Sequence, residues 1–189
     1  MSSQSNEQGG GAQRPRICNV PPYPQSSGDD AIALAAMAGL YLDDWQQYVL
    51  RGALGETDEG RWTAQTVGLV VGRQSGKGSI LEARELFGLF VLGERVIIHT
   101  AHLQSTASAH FRRLRELIQG VPEFEARVKK FVFGKGNEAI ELTTGEQILF
   151  TTRMGKTGRG LTIDMIVYDE AMYLTETERS ALAPTMAAR

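Results

Sequence analysis

The spacing of apolar residues along the chain predicts helices that alternate with buried strands. Apolar residues recur at helical intervals between Leu103 and Ile118, which predicts an amphipathic helix. Short runs rich in valine and isoleucine at residues 66–71, 95–101 and 163–168 predict buried strands. Because strands that alternate with helices usually form a parallel sheet, the pattern predicts an α/β fold with a mostly parallel sheet flanked by helices.

Shorter elements surround this framework. The alanine-rich residues 29–40 and residues 42–54 predict two helices ahead of the first strand, and residues 175–189 predict a final helix. Residues 138–142 and 147–152 predict the two strands of a hairpin, because the polar turn sequence TTGE separates them.

The first 30 residues have a different composition from the rest. They are rich in serine, glutamine, glycine and proline, so they can bury little apolar surface. Residues 1–30 are therefore predicted to be a flexible N-terminal arm, and residues 31–189 a single domain.

Composition and charge exclude several classes of protein. Hydrophobic residues make up 42% of the 189, which is ordinary for a globular domain. The net charge is −2, so a nucleic-acid partner would need a local basic face. The single cysteine, Cys18, excludes an internal disulfide framework and a multi-cysteine metal site. No stretch approaches the roughly 20 apolar residues of a membrane span, and the N-terminus lacks the apolar core of a signal peptide. We therefore expect a soluble protein inside a cell.

The octet GRQSGKGS, residues 72–79, predicts a phosphate-binding loop between a strand and a helix. Backbone N–H groups of such a loop point at bound phosphate, and the helix dipole adds to their attraction. Gly72 and Gly76 allow a close approach of the backbone, and Lys77 is predicted to place its ammonium on the outer phosphates. Arg73, Gln74 and Ser75 complete the loop. The alternative is a glycine-rich turn with a surface lysine.

The octet departs from the usual G-x-x-x-x-G-K-S/T pattern at one position. Gly78 stands where the magnesium-binding hydroxyl is expected, and Ser79 follows one residue later. Ser79 is therefore a predicted metal ligand that needs local distortion or a bridging water. Arg73 either stabilises transition-state charge, as an arginine finger does, or faces solvent or DNA.

The run IVYDEA predicts the second half of a nucleotide hydrolase site. Asp169 and Glu170 follow a buried strand, and open α/β sheets bind ligands at the carboxyl ends of their strands. We predict that Asp169 holds Mg²⁺ and that Glu170 orients or deprotonates water. The alternative is an acid pair at a helix N-terminus. His99, His102 and His110 show no metal-ligand partners in the sequence, so no zinc site is predicted.

Taken together, these segments resemble the large terminase subunits of tailed phages. The matching pieces are WQ at residues 45–46, GRQSGKGS at 72–79, RVIIHTAHLQSTA at 95–107 and GRGLTIDMIVYDEAMYL at 158–174. The resemblance runs from about Leu40 to the C-terminus. It implies a P-loop NTPase-type fold that is incomplete at its C-terminus, with the family's coupling strand and nuclease domain absent.

The resemblance also implies a function. It implies binding and hydrolysis of ATP with Mg²⁺ to drive double-stranded DNA into a procapsid, with Gln46 near the adenine. Its implied partners are the portal, the small terminase subunit and further copies in a ring, in the cytoplasm of the host cell. Two alternatives remain open: a split or truncated module that binds nucleotide without turnover, and a helicase-like ATPase with a DEA box. Arg159, in the loop before the acidic strand, either senses nucleotide, touches DNA or is simply solvated.

Overall fold

The computed structural model describes residues 12–134, 136–152 and 162–177. Its helices and strands, in chain order, are β1 Gln25–Ser26, α1 Gly28–Met37, α2 Asp44–Ala53, β2 Gly55–Glu56, α3 Lys77–Phe87, β3 Val96–Ala101, α4 Gln104–Gln119, α5 Pro122–Glu125, β4 Val128–Val132, β5 Glu138–Leu142, β6 Gln147–Thr152 and β7 Met165–Tyr168. A π-helical turn, Gly88–Leu92, extends α3, and a 3₁₀ turn, Ala171–Tyr173, follows β7.

The main sheet has five strands in the order β4-β5-β6-β3-β7. Strand β3 lies between β6 and β7 and runs parallel to both, whereas the β4–β5 and β5–β6 pairs are antiparallel. The α/β class is therefore confirmed, but the expected mostly parallel sheet is wrong, because the sheet is mixed. The reason is the predicted hairpin, which forms as β5 and β6: a short turn can join only antiparallel neighbours.

Residues 66–71 do not form the predicted strand. They have no regular secondary structure, and the side chain of Val70 is 99% exposed. A valine-rich run becomes a strand only where a neighbouring strand satisfies its backbone N–H and C=O groups. In the described part of the chain, no strand pairs with this segment. The phosphate loop therefore follows an extended connection that lies outside the sheet.

Apolar side chains pack on both faces of the sheet. All six residues of β3 are buried, and their side chains alternate between the faces. Ile97 packs with residues of α3 and α4, such as Leu86 and Phe111, in the largest core cluster. Ile98 packs on the opposite face with Ile163. Because β3 packs on α3 and α4 and pairs with β7, it connects these helices to the acidic strand.

The helices α1 and α2 form a second apolar cluster with the outer face of α3. Leu50 of α2 and Phe87 of α3 are buried there. The short ribbon of β1 and β2 lies beside this cluster, so regular structure already begins within the predicted arm. The remainder of that arm, from residue 12 onward, contacts α2: Cys18 Sγ lies 3.4 Å from the hydroxyl of Tyr48.

Some predictions fall on segments that the structure does not describe. Residues 1–11 of the arm, the loop that contains Arg159 and most of the final helix lie outside the described residues. Within the described ranges, no helix is long and apolar enough to cross a membrane.

Candidate functional site

The loop of residues 72–76 turns sharply into α3, which begins at Lys77. Gly76 has φ of +84°, a left-handed conformation that glycine adopts without strain. A Cβ at Gly76 would also lie only 2.8 Å from Nε2 of Gln46. Both observations require glycine at this position. Within the loop, the Ser75 hydroxyl donates to the carbonyl of Gly72 at 2.9 Å.

Gln46 connects α2 to the phosphate loop. Its Nε2 donates to the carbonyl of Gly76 at 2.9 Å, and its Oε1 accepts from the backbone N–H of Asp43 at 2.7 Å. The side chain is 4% exposed. Both ends of the amide are therefore hydrogen-bonded, one to the loop and the other to the start of α2. The suggested contact with adenine stays a prediction. In such a contact, the second N–H of the Gln46 amide and the second lone pair of its oxygen would bind the base.

The two halves of the predicted site meet in an ion pair. Lys77 Nζ donates to Oδ1 of Asp169, although the two residues are 92 positions apart in the sequence. Burial raises the pKa of the Asp169 carboxyl, but the hydrogen bond and charge of Lys77 outweigh it, so the pKa lies below its ordinary value. Asp169 is therefore ionised at neutral pH, as a magnesium ligand must be.

Glu170 has an unusual backbone and an unsatisfied carboxylate. In the described ranges, the two non-glycine residues with positive φ are Gln74, at +58°, and Glu170, at +54°. Strained residues of this kind concentrate at functional sites. Oε2 of Glu170 is buried and has no hydrogen-bond partner among the described residues. A buried carboxylate oxygen without a partner fits a group that receives a water or a metal-bound ligand.

A cavity of about 770 Å³ opens beside the loop. Its walls are the start of α2, at Asp44 and Trp45, the loop residues Val71 and Ser75, and Gln13 of the arm. The cavity has the size of a small-molecule site and includes an indole on which a flat base can pack. Lys77 is not among the residues that line this cavity.

Other predicted site residues lie in the loop turn and in the first turn of α3. Arg73 and Gln74 are exposed in the loop turn, and Gly78 and Ser79 lie half-buried in the first turn of α3. The Ser79 backbone N–H donates to the carbonyl of Gly76 at 3.1 Å, which begins the helix. The roles of Arg73 and of the Ser79 hydroxyl stay predictions.

The structure also assembles a buried cluster that the sequence analysis missed. Glu85 of α3 binds both His99 of β3 and His110 of α4, at 2.7 and 2.6 Å. The expectation that these histidines lack a ligand-type partner is therefore wrong. The signal was present in the sequence: His99 interrupts an apolar strand, and a polar side chain buried in a strand needs a hydrogen-bond partner.

Among solved structures, the crystal structure of the HK97 bacteriophage large terminase superposes on this chain with a TM-score of 0.69. The fold is that of a phage large terminase. The match has 17% sequence identity and covers 85% of this chain and 35% of the HK97 chain. The resemblance drawn from the sequence is thus confirmed at the level of fold. The chain spans about a third of the length of that terminase. No protein-family model matches the sequence, and neither does any curated protein.

Proposed function

We propose that this chain is an ATP-binding and ATP-hydrolysing part of a phage DNA-packaging motor. The observation that carries the proposal is the contact between Lys77 and Asp169, which joins the phosphate loop to the acidic strand end. The terminase fold over 85% of the chain supports the same conclusion, because the HK97 protein is a large terminase. The proposed fold type is that of a P-loop NTPase.

The proposed site assigns one task to each group. Backbone N–H groups of residues 72–79 and the Lys77 ammonium would hold the phosphates of ATP. Asp169, and Ser79 directly or through water, would hold Mg²⁺, which neutralises phosphate charge when bound. Glu170 would orient and deprotonate water through its unsatisfied oxygen. Arg73 would stabilise developing negative charge, and Gln46 would keep the loop in place beside the base.

The direct ion pair between Lys77 and Asp169 has a consequence for binding. Because the ammonium contacts the carboxylate in this structure, Lys77 would exchange this contact for phosphate when ATP binds, and the Asp169 carboxylate could then hold the cation. The proposed partners are double-stranded DNA, the portal, the small terminase subunit and further copies in a ring, within the host cytoplasm.

The test is ATP binding and hydrolysis in the presence of magnesium. We expect Lys77→Ala to weaken ATP binding about tenfold or more, because it removes charge-assisted hydrogen bonds. We expect Glu170→Ala to keep binding but to lower turnover by about 10²–10⁴-fold. Lys130→Ala is the matched control, because Lys130 lies on the distant strand β4, where it pairs with Glu141 of β5 at 3.1 Å. Absence of ATP binding at every magnesium concentration would refute the proposal.

A second candidate is a module that binds nucleotide without turnover. It is favoured by Gly78 at the usual hydroxyl position and by residues 66–71, which lie outside the sheet. Binding with no hydrolysis by the wild-type chain would select this candidate. Hydrolysis coupled to unwinding of duplex DNA would instead select the helicase-like alternative.

A further inference from the structure

The cluster of Glu85, His99 and His110, here called the Glu–His cluster, is buried where α3, β3 and α4 meet. The carboxylate of Glu85 is fully buried, and each of its oxygens binds a different imidazole: Oε1 binds Nδ1 of His99, and Oε2 binds Nε2 of His110. The two rings stack with centroids 3.9 Å apart and an angle of 15° between their planes. One carboxylate thus bridges β3 and α4 from its position on α3.

Charge balance explains how such a cluster is stable in the core. Burial raises the pKa of Glu85, but the two histidines outweigh it and lower the pKa to about 2. Burial lowers the pKa of His110, but Glu85 outweighs it, so this pKa lies above its ordinary value. A carboxylate with one imidazolium is neutral as a unit, whereas an uncompensated buried charge costs several kcal/mol.

Other charged groups border the cluster on each packed element. Glu82 of α3 lies 4.0 Å from Nδ1 of His110, and it also pairs with Arg113 of α4 at 2.9 Å. Asp169, beyond β7, adds a negative charge that favours a protonated His110. Lys77 and Arg113 pair with Asp169 and Glu82, but Glu85, Glu82 and Asp169 together still favour a protonated His110.

The ring geometry argues against a shared metal ion. The three potential ligand atoms lie within 4.8 Å of one another. A metal ion binds imidazole in the ring plane at about 2.0–2.1 Å. Because the two rings are nearly parallel and stacked, one ion cannot lie in both planes. The arrangement suits two hydrogen bonds to a carboxylate instead.

The Glu–His cluster connects the two halves of the proposed site. Glu85 lies on α3, whose first residue is Lys77. His99 is paired in register with Val167 of β7, and the carbonyl of the next residue, Thr100, accepts the backbone N–H of Asp169 at 2.8 Å. A displacement of Glu85 would therefore move the loop helix relative to the acidic strand end.

We propose that Glu85 is a positioning residue that fixes the phosphate-loop helix against the acidic strand through His99 and His110. In the same cluster, His110 keeps its proton at pH values at which a free histidine has lost it. The positioning part rests on the function proposed above. The protonation part does not, since it concerns the folded chain alone.

The first test is Glu85→Gln, which keeps the shape of the side chain and removes its charge. We expect the pKa of His110, followed by NMR of the ring nitrogens, to fall by about one unit or more. We expect ATP affinity to fall about tenfold, as for residues that orient ligand-holding groups. Glu138→Gln is the matched control, because Glu138 is also buried and, among the described residues, accepts hydrogen bonds from the neutral Gln104, Ser108 and Gly136.

The outcomes separate the two proposals. A His110 pKa that is unchanged in Glu85→Gln overturns the protonation part, and an ATP affinity equal to that of Glu138→Gln overturns the positioning part. If the wild type does not bind ATP, the proposed function fails, and the NMR titration still tests the cluster. His110→Gln covers the case in which Glu85→Gln does not fold, because its amide keeps a donor at the position of Nε2 without titrating. A wild-type pH dependence of stability in His110→Gln would overturn the protonation part.

Discussion

The substitution Gly76→Ala tests the geometry of the phosphate loop independently of any ligand. Gly76 has φ of +84°, and an alanine Cβ would lie 2.8 Å from Nε2 of Gln46. A left-handed alanine costs roughly 1–2 kcal/mol. The Gln46 amide is held at both ends, so its displacement costs about one more hydrogen bond, ~1 kcal/mol. We expect a loss of about 2–3 kcal/mol, measured by urea unfolding.

Gly39→Ala is the matched control for this measurement. Gly39 has φ of +77°, but a Cβ there would meet nothing within 4 Å, so only the backbone term remains. We expect Gly76→Ala to cost about 1 kcal/mol more than Gly39→Ala, and this excess to vanish when Gln46→Ala is already present. Equal costs for the two glycine substitutions, or an excess that persists without Gln46, would refute the reasoning.

Two further predictions concern the loop segment and the ion pair. Val70→Thr should change the free energy of unfolding by less than about 0.5 kcal/mol, because Val70 is exposed; a cost of about 2 kcal/mol would show that residues 66–71 join the sheet. The pKa of Asp169 in the folded chain is lowered, so its pairing with Lys77 stabilises the fold at pH values above about 4, the pKa of this carboxyl in the unfolded chain. This stabilisation is lost as the pH falls through the folded-state pKa. The stability difference between wild type and Lys77→Ala should therefore shrink in acid, as followed by unfolding at several pH values, and a constant difference would contradict it.

The local patterns of the sequence predicted the hairpin and the strand that ends before Asp169. The hairpin of β5 and β6 forms because its turn is polar and its strands are adjacent. The strand that ends before Asp169 forms because its apolar residues pack on both sides of the sheet. The cause of the hairpin lies within a few residues, whereas the strand before Asp169 is recognisable by its apolar run although its partner β3 is distant in the sequence.

Residues 66–71 and Gln46 show where local patterns were insufficient. A valine-rich run has the composition of a strand, but only a neighbour with free backbone groups makes it one. Gln46 was predicted to lie near the adenine, and the fold adds that its amide is hydrogen-bonded to Asp43 and Gly76. Neither outcome can be read from a short window, because each depends on an element distant in the chain.

The sequence by itself determined the alternation of helices and strands, the conformational freedom at Gly76 and the charged groups of the proposed site. Only the tertiary structure brought Lys77 to Asp169 and Glu85 to two histidines, because these contacts join residues that are 14 to 92 positions apart. A buried charge must find its counter-charge in space, whatever its position in the chain. The chemical groups of the site are therefore encoded locally, and their pairing is decided by how α3, β3, α4 and β7 pack.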